Sequence, residues 1–207
     1  WSSPAAIESA HGVVWGASPA ILADSWSVAY VSGGQGPDGF HYDLLLASSR
    51  DAGRTWQVST IAESVPFQSP QLRADARSGD LVVAYAEGPD AASFGDVVVR
   101  VLPAAGGAWS ETARFTGLGD AAMDPQVALD VAPDGSVYLA FWALDDAGGS
   151  QRHAALGRDG WTRSVLGAGA ASGEYTGLAA WDGGAFAVWP RWDADAPTLD
   201  GARVPLP

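Results

Sequence analysis

A tryptophan returns four times along the chain in the same local setting. Trp1 opens WSSPAAIES, Trp56 opens WQVSTIAES, Trp109 opens WSETARFTG and Trp161 opens WTRSVLGAG, at spacings of 55, 53 and 52 residues. Trp buries a large surface and fits only specific packing sites, so a recurring Trp marks a recurring site. A repeat of this length makes the chain an array of like units. Other marks keep the phase. A proline opens an apolar segment at Pro19, Pro70 and Pro125, and the fourth copy has Tyr175-Thr176-Gly177-Leu178 at that place. Each is followed by a run rich in β-branched and aromatic residues, at 26–31, 81–85, 137–142 and 186–189. A third run follows at 42–47, 96–102, 152–156 and 201–204, and Asp43 and Asp96 each stand 13 residues before their Trp.

Each repeat therefore predicts four short strands of about five residues, A to D, with D starting at the Trp. The 26 glycines and 13 prolines spread along the chain suit many turns and oppose long helices. Four-stranded units repeated in phase predict an all-β propeller of four blades, each of four antiparallel strands. A sandwich would not require four copies in phase. The expected blades fall at about 17–64, 68–117, 123–168, and 173–207 together with 1–9. The last repeat stops after its third strand and the chain begins with an orphan D strand. The N-terminal strand is thus expected to pair with Arg203-Val204 and close the last blade, which would remove an open sheet edge. A longer propeller divided inside a blade would show the same phase. The chain starts at Trp1 without Met, so an upstream segment is expected to have been removed or omitted.

Charge narrows the partners. Eleven basic residues, all Arg, against 24 acidic ones give a net charge of −13, which repels nucleic-acid phosphates and anionic lipid. No stretch approaches the roughly 20 apolar residues of a membrane span, so neither nucleic-acid binding nor membrane insertion is expected. The absence of Cys excludes disulfides and thiolate metal sites.

Between the first two repeats stands Ser49-Arg50-Asp51-Ala52-Gly53-Arg54-Thr55-Trp56, of the form S-x-D-x-G-x-T-W. Ser, Asp and Thr side chains can hydrogen-bond a turn backbone, and Gly53 accepts angles other residues resist. The segment resembles the Asp box, or BNR repeat, of sialidase-like propellers. Strings such as Asp124-Pro125-Gln126-Val127-Ala128-Leu129-Asp130 and Pro133-Asp134-Gly135-Ser136-Val137-Tyr138 are similar to blades of secreted BNR-type proteins. The resemblance implies that the chain is secreted or at the cell surface, and that Ser49, Asp51, Gly53, Thr55 and Trp56 are structural, on the face away from any active site. Trp56 is expected to pack between blades.

The D-to-A and B-to-C loops share the other face, where binding is expected. These loops, taken as 10–17, 32–41, 63–68, 87–95, 118–123, 144–151, 168–174 and 190–199, are acidic. Asp145 and Asp146 are candidate Ca²⁺ ligands, since Ca²⁺ takes clustered oxygens, although no full calcium loop is present; no other cofactor is expected. Phe40, Phe67, Phe94, Tyr175 and Trp192 are candidates for stacking on a sugar ring, with Arg191 and Asp193 beside Trp192.

The sialidase resemblance implies a chemistry of three Arg on a carboxylate, a Tyr nucleophile helped by Glu, and an Asp acid/base. Arg191, Tyr175 and Glu174 are the candidates for that set. Adjacent strand residues point to opposite faces, which sets Glu174 and Tyr175 apart. The residues favour a non-catalytic binding or scaffold module for a glycan or protein partner. The alternatives are a sialidase-like glycoside hydrolase or a fragment of one, and a structural module of a surface or filament assembly.

Overall fold

The structure is a computed structural model and describes residues 6–7, 13–23, 25–89, 94–116, 118, 126–144, 150–157, 160–168, 176–192 and 197–204. Every regular element among them is a β-strand. The first sheet holds β1 (Val13–Leu22), β2 (Ser25–Gly36), β3 (Gly39–Ser49) and β4 (Gln57–Ala62). The second holds β5 (Gln71–Ala74), β6 (Leu81–Glu87), β7 (Asp96–Leu102) and β8 (Ser110–Phe115). The third holds β9 (Ala128–Val131), β10 (Val137–Leu144), β11 (Ser150–Gly157) and β12 (Trp161–Ala168). The fourth holds β13 (Gly177–Trp181), β14 (Gly184–Trp192) and β15 (Pro197–Val204). Each sheet is an antiparallel meander in chain order.

The apolar runs of the sequence form the middle strands, buried on both faces. Leu44 and Leu46 face the second sheet with Leu72, Val83 and Tyr85, while Leu45 and Ala47 face the other way. The opposite face of the second sheet packs Val97, Val99 and Phe115 against Leu139 and Phe141 of the third. Tyr138, Ala140 and Leu156 then meet Ala185, Ala187 and Trp189 of the fourth. The sheets thus stack face to face in sequence order.

The innermost strands lie side by side and are linked by side chains. The Ser18 Oγ on β1 accepts the buried Leu72 N–H of β5 at 2.9 Å. Asp130 on β9 joins three sheets: its Oδ1 lies 3.6 Å from the Arg73 Nε on β5, and its Oδ2 accepts the Ala180 N–H of β13 at 2.8 Å. Asp130→Ala leaves that N–H unmatched, and we expect a loss of about 1–3 kcal/mol in urea unfolding. An unchanged midpoint would contradict this linking role. Pro19 sits within β1 because that strand is the sheet's inner edge, where a missing N–H breaks no ladder.

Two expectations change. Residues 32–41 are not a loop. β2 and β3 run to 12 and 11 residues and pair out to Gly36–Gly39, closed by a two-residue turn at Pro37-Asp38. Gly39 follows the turn with φ +116°, the glycine that such hairpins use, so the glycines around it extend a hairpin rather than break a strand. Residues 190–192 and 197–199 likewise belong to β14 and β15.

The expected closing strand lies mostly outside the described residues; Ala6 and Ile7 alone are described from 1–9, and neither is in a strand. Ile7 nonetheless packs with Trp56 on the Tyr30, Leu45 and Ala47 cluster of the first sheet. Ile61 and Trp109 share the next cluster, and Phe115 and Trp161 the one after, with rings 5.6 Å apart. Ile7 therefore stands toward the first sheet as the outer strand of each sheet stands toward its successor. The far face of the fourth sheet leaves Trp181 and Phe186 39% and 43% exposed.

Candidate functional site

Antiparallel order puts the 37–38 turn, the β4–β5 connection and the start of β1 at one end of the first two sheets. Four aromatic rings form a continuous row there. Trp15 of β1 lies 5.0 Å from Phe67 of the β4–β5 connection, centroid to centroid. Phe67 lies 5.3 Å from Tyr42 of β3, and Tyr42 stacks on Phe40 at 6.0 Å with 8° between the planes. Phe40 and Tyr42 alternate along β3, so both face the second sheet, and Trp15 joins them on that face. Gly33 lies between them in the register. A Cβ there would come within 2.6 Å of the Tyr42 ring and 2.0 Å of the His41 carbonyl oxygen, so glycine is what lets the ring lie flat. Phe40, Trp15 and Phe67 keep 58%, 51% and 37% of their surface exposed, whereas Tyr42 is half-buried against the core beneath.

His41 and Asp43 alternate with these rings along β3 and so take its other face. His41 Nε2 lies 3.2 Å from Asp43 Oδ1, which also accepts the Ser64 N–H at 3.1 Å. At its inner end the row reaches a shallow hollow of about 290 Å³ along Val14, Trp15, Gly16, Ala17 and Ser69. This adjoins a cavity of about 270 Å³ lined by residues in or just before the first strand of each of the four sheets. Its polar lining among the described residues is uncharged: Ser69, Gln71, Gln126 and Thr176. Gly16 has φ +62°, and a Cβ there would lie 2.6 Å from the Gln68 carbonyl oxygen, so its smallness sets how closely the first two sheets approach.

A charged cluster occupies the same end of the second sheet. The Tyr85 hydroxyl donates to Glu87 Oε1 at 2.6 Å, Arg100 contacts that oxygen at 3.2 Å, and Arg114 donates to Glu87 Oε2 at 2.7 Å. Arg114 also holds Asp96 and Glu111. A Tyr beside a Glu has the chemical members of a glycosidase nucleophile. Here the phenol is fully buried, and burial first, then its bond to Glu87, pushes its pKa far up. The pair ties core to surface and cannot present a phenolate to substrate.

At the opposite end, Asp51 uses both carboxylate oxygens on its own turn. Oδ1 accepts the Arg54 and Thr55 N–H groups at 3.0 and 2.9 Å, and Oδ2 accepts the Thr55 hydroxyl at 2.8 Å. Ser49 Oγ donates to Asp51 Oδ1 and accepts the Gly53 N–H. Gly53 has φ +81° and lies under the Trp26 ring, and the Trp56 indole N–H donates to the Gly53 carbonyl. The bonds from Thr55, backbone first, hold the Asp51 carboxyl at about 2, below its ordinary 3.8. Its contribution to stability is therefore complete above pH 3.8 and lost as pH falls toward 2. Asp51→Asn is expected to flatten that part of the acid-unfolding curve; an unaltered curve would show the carboxylate to be idle.

Of the residues singled out in the sequence, the structure brings Phe40 and Phe67 into one site. Glu174, Tyr175, Asp193, Asp145 and Asp146 lie outside the described residues, and Arg191 and Trp192 are described only as backbone of β14. Among the described residues no group of three or more His, Asp or Glu is arranged to hold a metal ion. Trp15 and Tyr42 were missed. Tyr42 had a signal, the Phe40-x-Tyr42 alternation of a strand, obscured by reading 32–41 as a loop. Trp15 stood in a segment taken for connection, ahead of the expected strand.

No protein-family model matches the chain, and no curated protein matches its sequence. Solved structures do share the fold. The Hadza microbial sialidase Hz136 superposes with a TM-score of 0.56 at 14% identity, over 91% of this chain and 44% of that one. The family 117 glycoside hydrolase Zg3597 of Zobellia galactanivorans gives 0.57 at 14% identity, over 97% of this chain and 71% of that one. The Trypanosoma rangeli sialidase, solved with sialic acid, gives 0.58 at 11% identity, over 95% and 37%. This chain thus spans less than half the length of either sialidase. Its all-β fold of stacked antiparallel sheets is sialidase-like.

Proposed function

We propose that this chain is a carbohydrate-binding module of sialidase-like, propeller fold, secreted or at the cell surface, that holds a glycan without turning it over. The observation that carries the reading is the exposed row Trp15–Phe67–Tyr42–Phe40 beside the cavity. Aromatic rings left open to water on a rigid sheet are suited to the apolar face of a pyranose ring. The protein scaffold holds the rings in place before ligand arrives, which lowers the entropic cost of binding. Trp15→Ala and Phe67→Ala remove exposed rings and should leave the melting temperature nearly unchanged. Each is expected to weaken binding to a glycan array about tenfold, the equivalent of roughly 1.4 kcal/mol. Retention of full binding by both variants would refute the site.

The placement of Ile7 supports the finer reading of the fold, in which the N-terminal segment is the outer strand of the blade preceding the first sheet and closes the ring. A second reading, a sialidase-like glycoside hydrolase or part of one, draws support from the glycosidases that share the fold. It places Arg191, Tyr175 and Glu174 at the reacting sugar. Release of a fluorogenic sialoside by this chain, abolished in Arg191→Ala, would establish it over the first.

A further inference from the structure

The row of rings also specifies what kind of glycan it takes, an inference that rests on the binding role proposed above. We propose that the row binds a linear, uncharged oligosaccharide along its length and discriminates against sugars that carry a carboxylate.

Two independent observations lead there. The first is shape. Four rings follow one another at 5.0, 5.3 and 6.0 Å, across three separate stretches of chain, and run from the hairpin toward the cavity. A pocket for a single terminal sugar would enclose it; this row is open and extended, its ring planes turned by 35°, 51° and 8° from one to the next. Among the described residues, the polar groups lining the cavity at its inner end are neutral.

The second is charge. Recognition of a sugar carboxylate calls for a guanidinium, which matches it with two parallel hydrogen bonds. The arginines whose side chains are described are engaged elsewhere or stand at the other end of the sheets. Arg73 meets Asp130, Arg77 donates to the Asp134 carbonyl, and Arg100 and Arg114 are held by Glu87 and its neighbours. Arg203 lies over Trp181 in the fourth sheet, Arg163 on β12 is directed at the Thr116 carbonyl, and Arg50 and Arg54 flank the Asp51 turn. The charged side chains nearest the row in sequence are His41, held by Asp43 on the other face of β3, with Asp38 and Glu63, on a chain of net charge −13. A carboxylated sugar would approach against this field, and the described cations at that end of the sheets, His41, Arg100 and Arg114, are already held by carboxylates.

The test uses an array of neutral linear oligosaccharides of one to six units, each also present with a terminal sialic acid, probed with the full chain and with Trp15→Ala and Phe67→Ala. Binding is expected to rise with length up to about four units and to be at least tenfold weaker for each sialylated counterpart. It should fall about tenfold in each variant and change less than twofold between 50 and 500 mM salt, since no ion pair is made. Stronger binding of the sialylated members, or binding that collapses with salt, would overturn this inference and leave the carbohydrate-binding role standing. Failure of every glycan to bind above background would overturn both.

Discussion

Tyr85→Ala should destabilise the protein by about 4 kcal/mol, measured as a shift of the urea midpoint at constant slope. The ring is wholly buried between the first two sheets, among Leu44, Leu72 and Val98, and truncation leaves a cavity the surrounding strands cannot fill. The hydroxyl adds a second loss. It donates to Glu87, which also receives Arg100 and Arg114, and Arg100 reaches back to the Ile61 carbonyl of the first sheet at 2.7 Å. Tyr85→Phe separates the two contributions. It keeps the packing, and Glu87 keeps both arginines, so its cost should be only about 1 kcal/mol. Equal effects of the two substitutions would mean that the hydrogen bond, not the ring, holds the sheets together.

Acidification should weaken the junction between the second and third sheets through His153. The imidazole is 4% exposed, stacks on Phe141 at 5.4 Å, and its Nδ1 has no partner among the described residues. Burial, with Arg163 nearby as the smaller cause, lowers its pKa from 6.5 to about 4. The fold therefore favours the neutral ring. Stability is full above pH 6.5, declines as pH falls to about 4, and loses nothing further to this group below that. A difference of that size corresponds to about 3 kcal/mol. His153→Phe keeps the stacking and removes the proton site. The difference between wild-type and variant unfolding free energies should grow across that window and stay level outside it. Parallel curves from pH 7 to pH 4 would show the imidazole to be protonated within the fold.

Strands were legible because their residues carry two signals at once. Runs such as Val97-Val98-Val99 are β-formers and buried on both faces, and Trp109 and Trp161 recur because each meets the outer strand of the sheet before it. Trp56 was expected between blades and is half-buried at the equivalent place, beside Ile7. Strand ends were less legible. Gly33, Gly34 and Gly36 read locally as breakers, yet the register carries pairing past them to a turn that Gly39 completes. The functional row was hidden for the same reason. Its members come from residues 15, 40, 42 and 67 and meet only once the sheets are stacked, which no local spacing encodes.

The fourth sheet has a neighbour on one face only among the described residues, whereas the second and third are flanked on both. In a stack of like units, each layer's resistance to opening depends on the layers it touches. The amides of β13 to β15 should therefore exchange with deuterium first, at free energies well below that of global unfolding, and those of β6, β7 and β10 last. Such a ladder of protection would make the molecule graded in its resistance to opening, with the fourth sheet the first to yield.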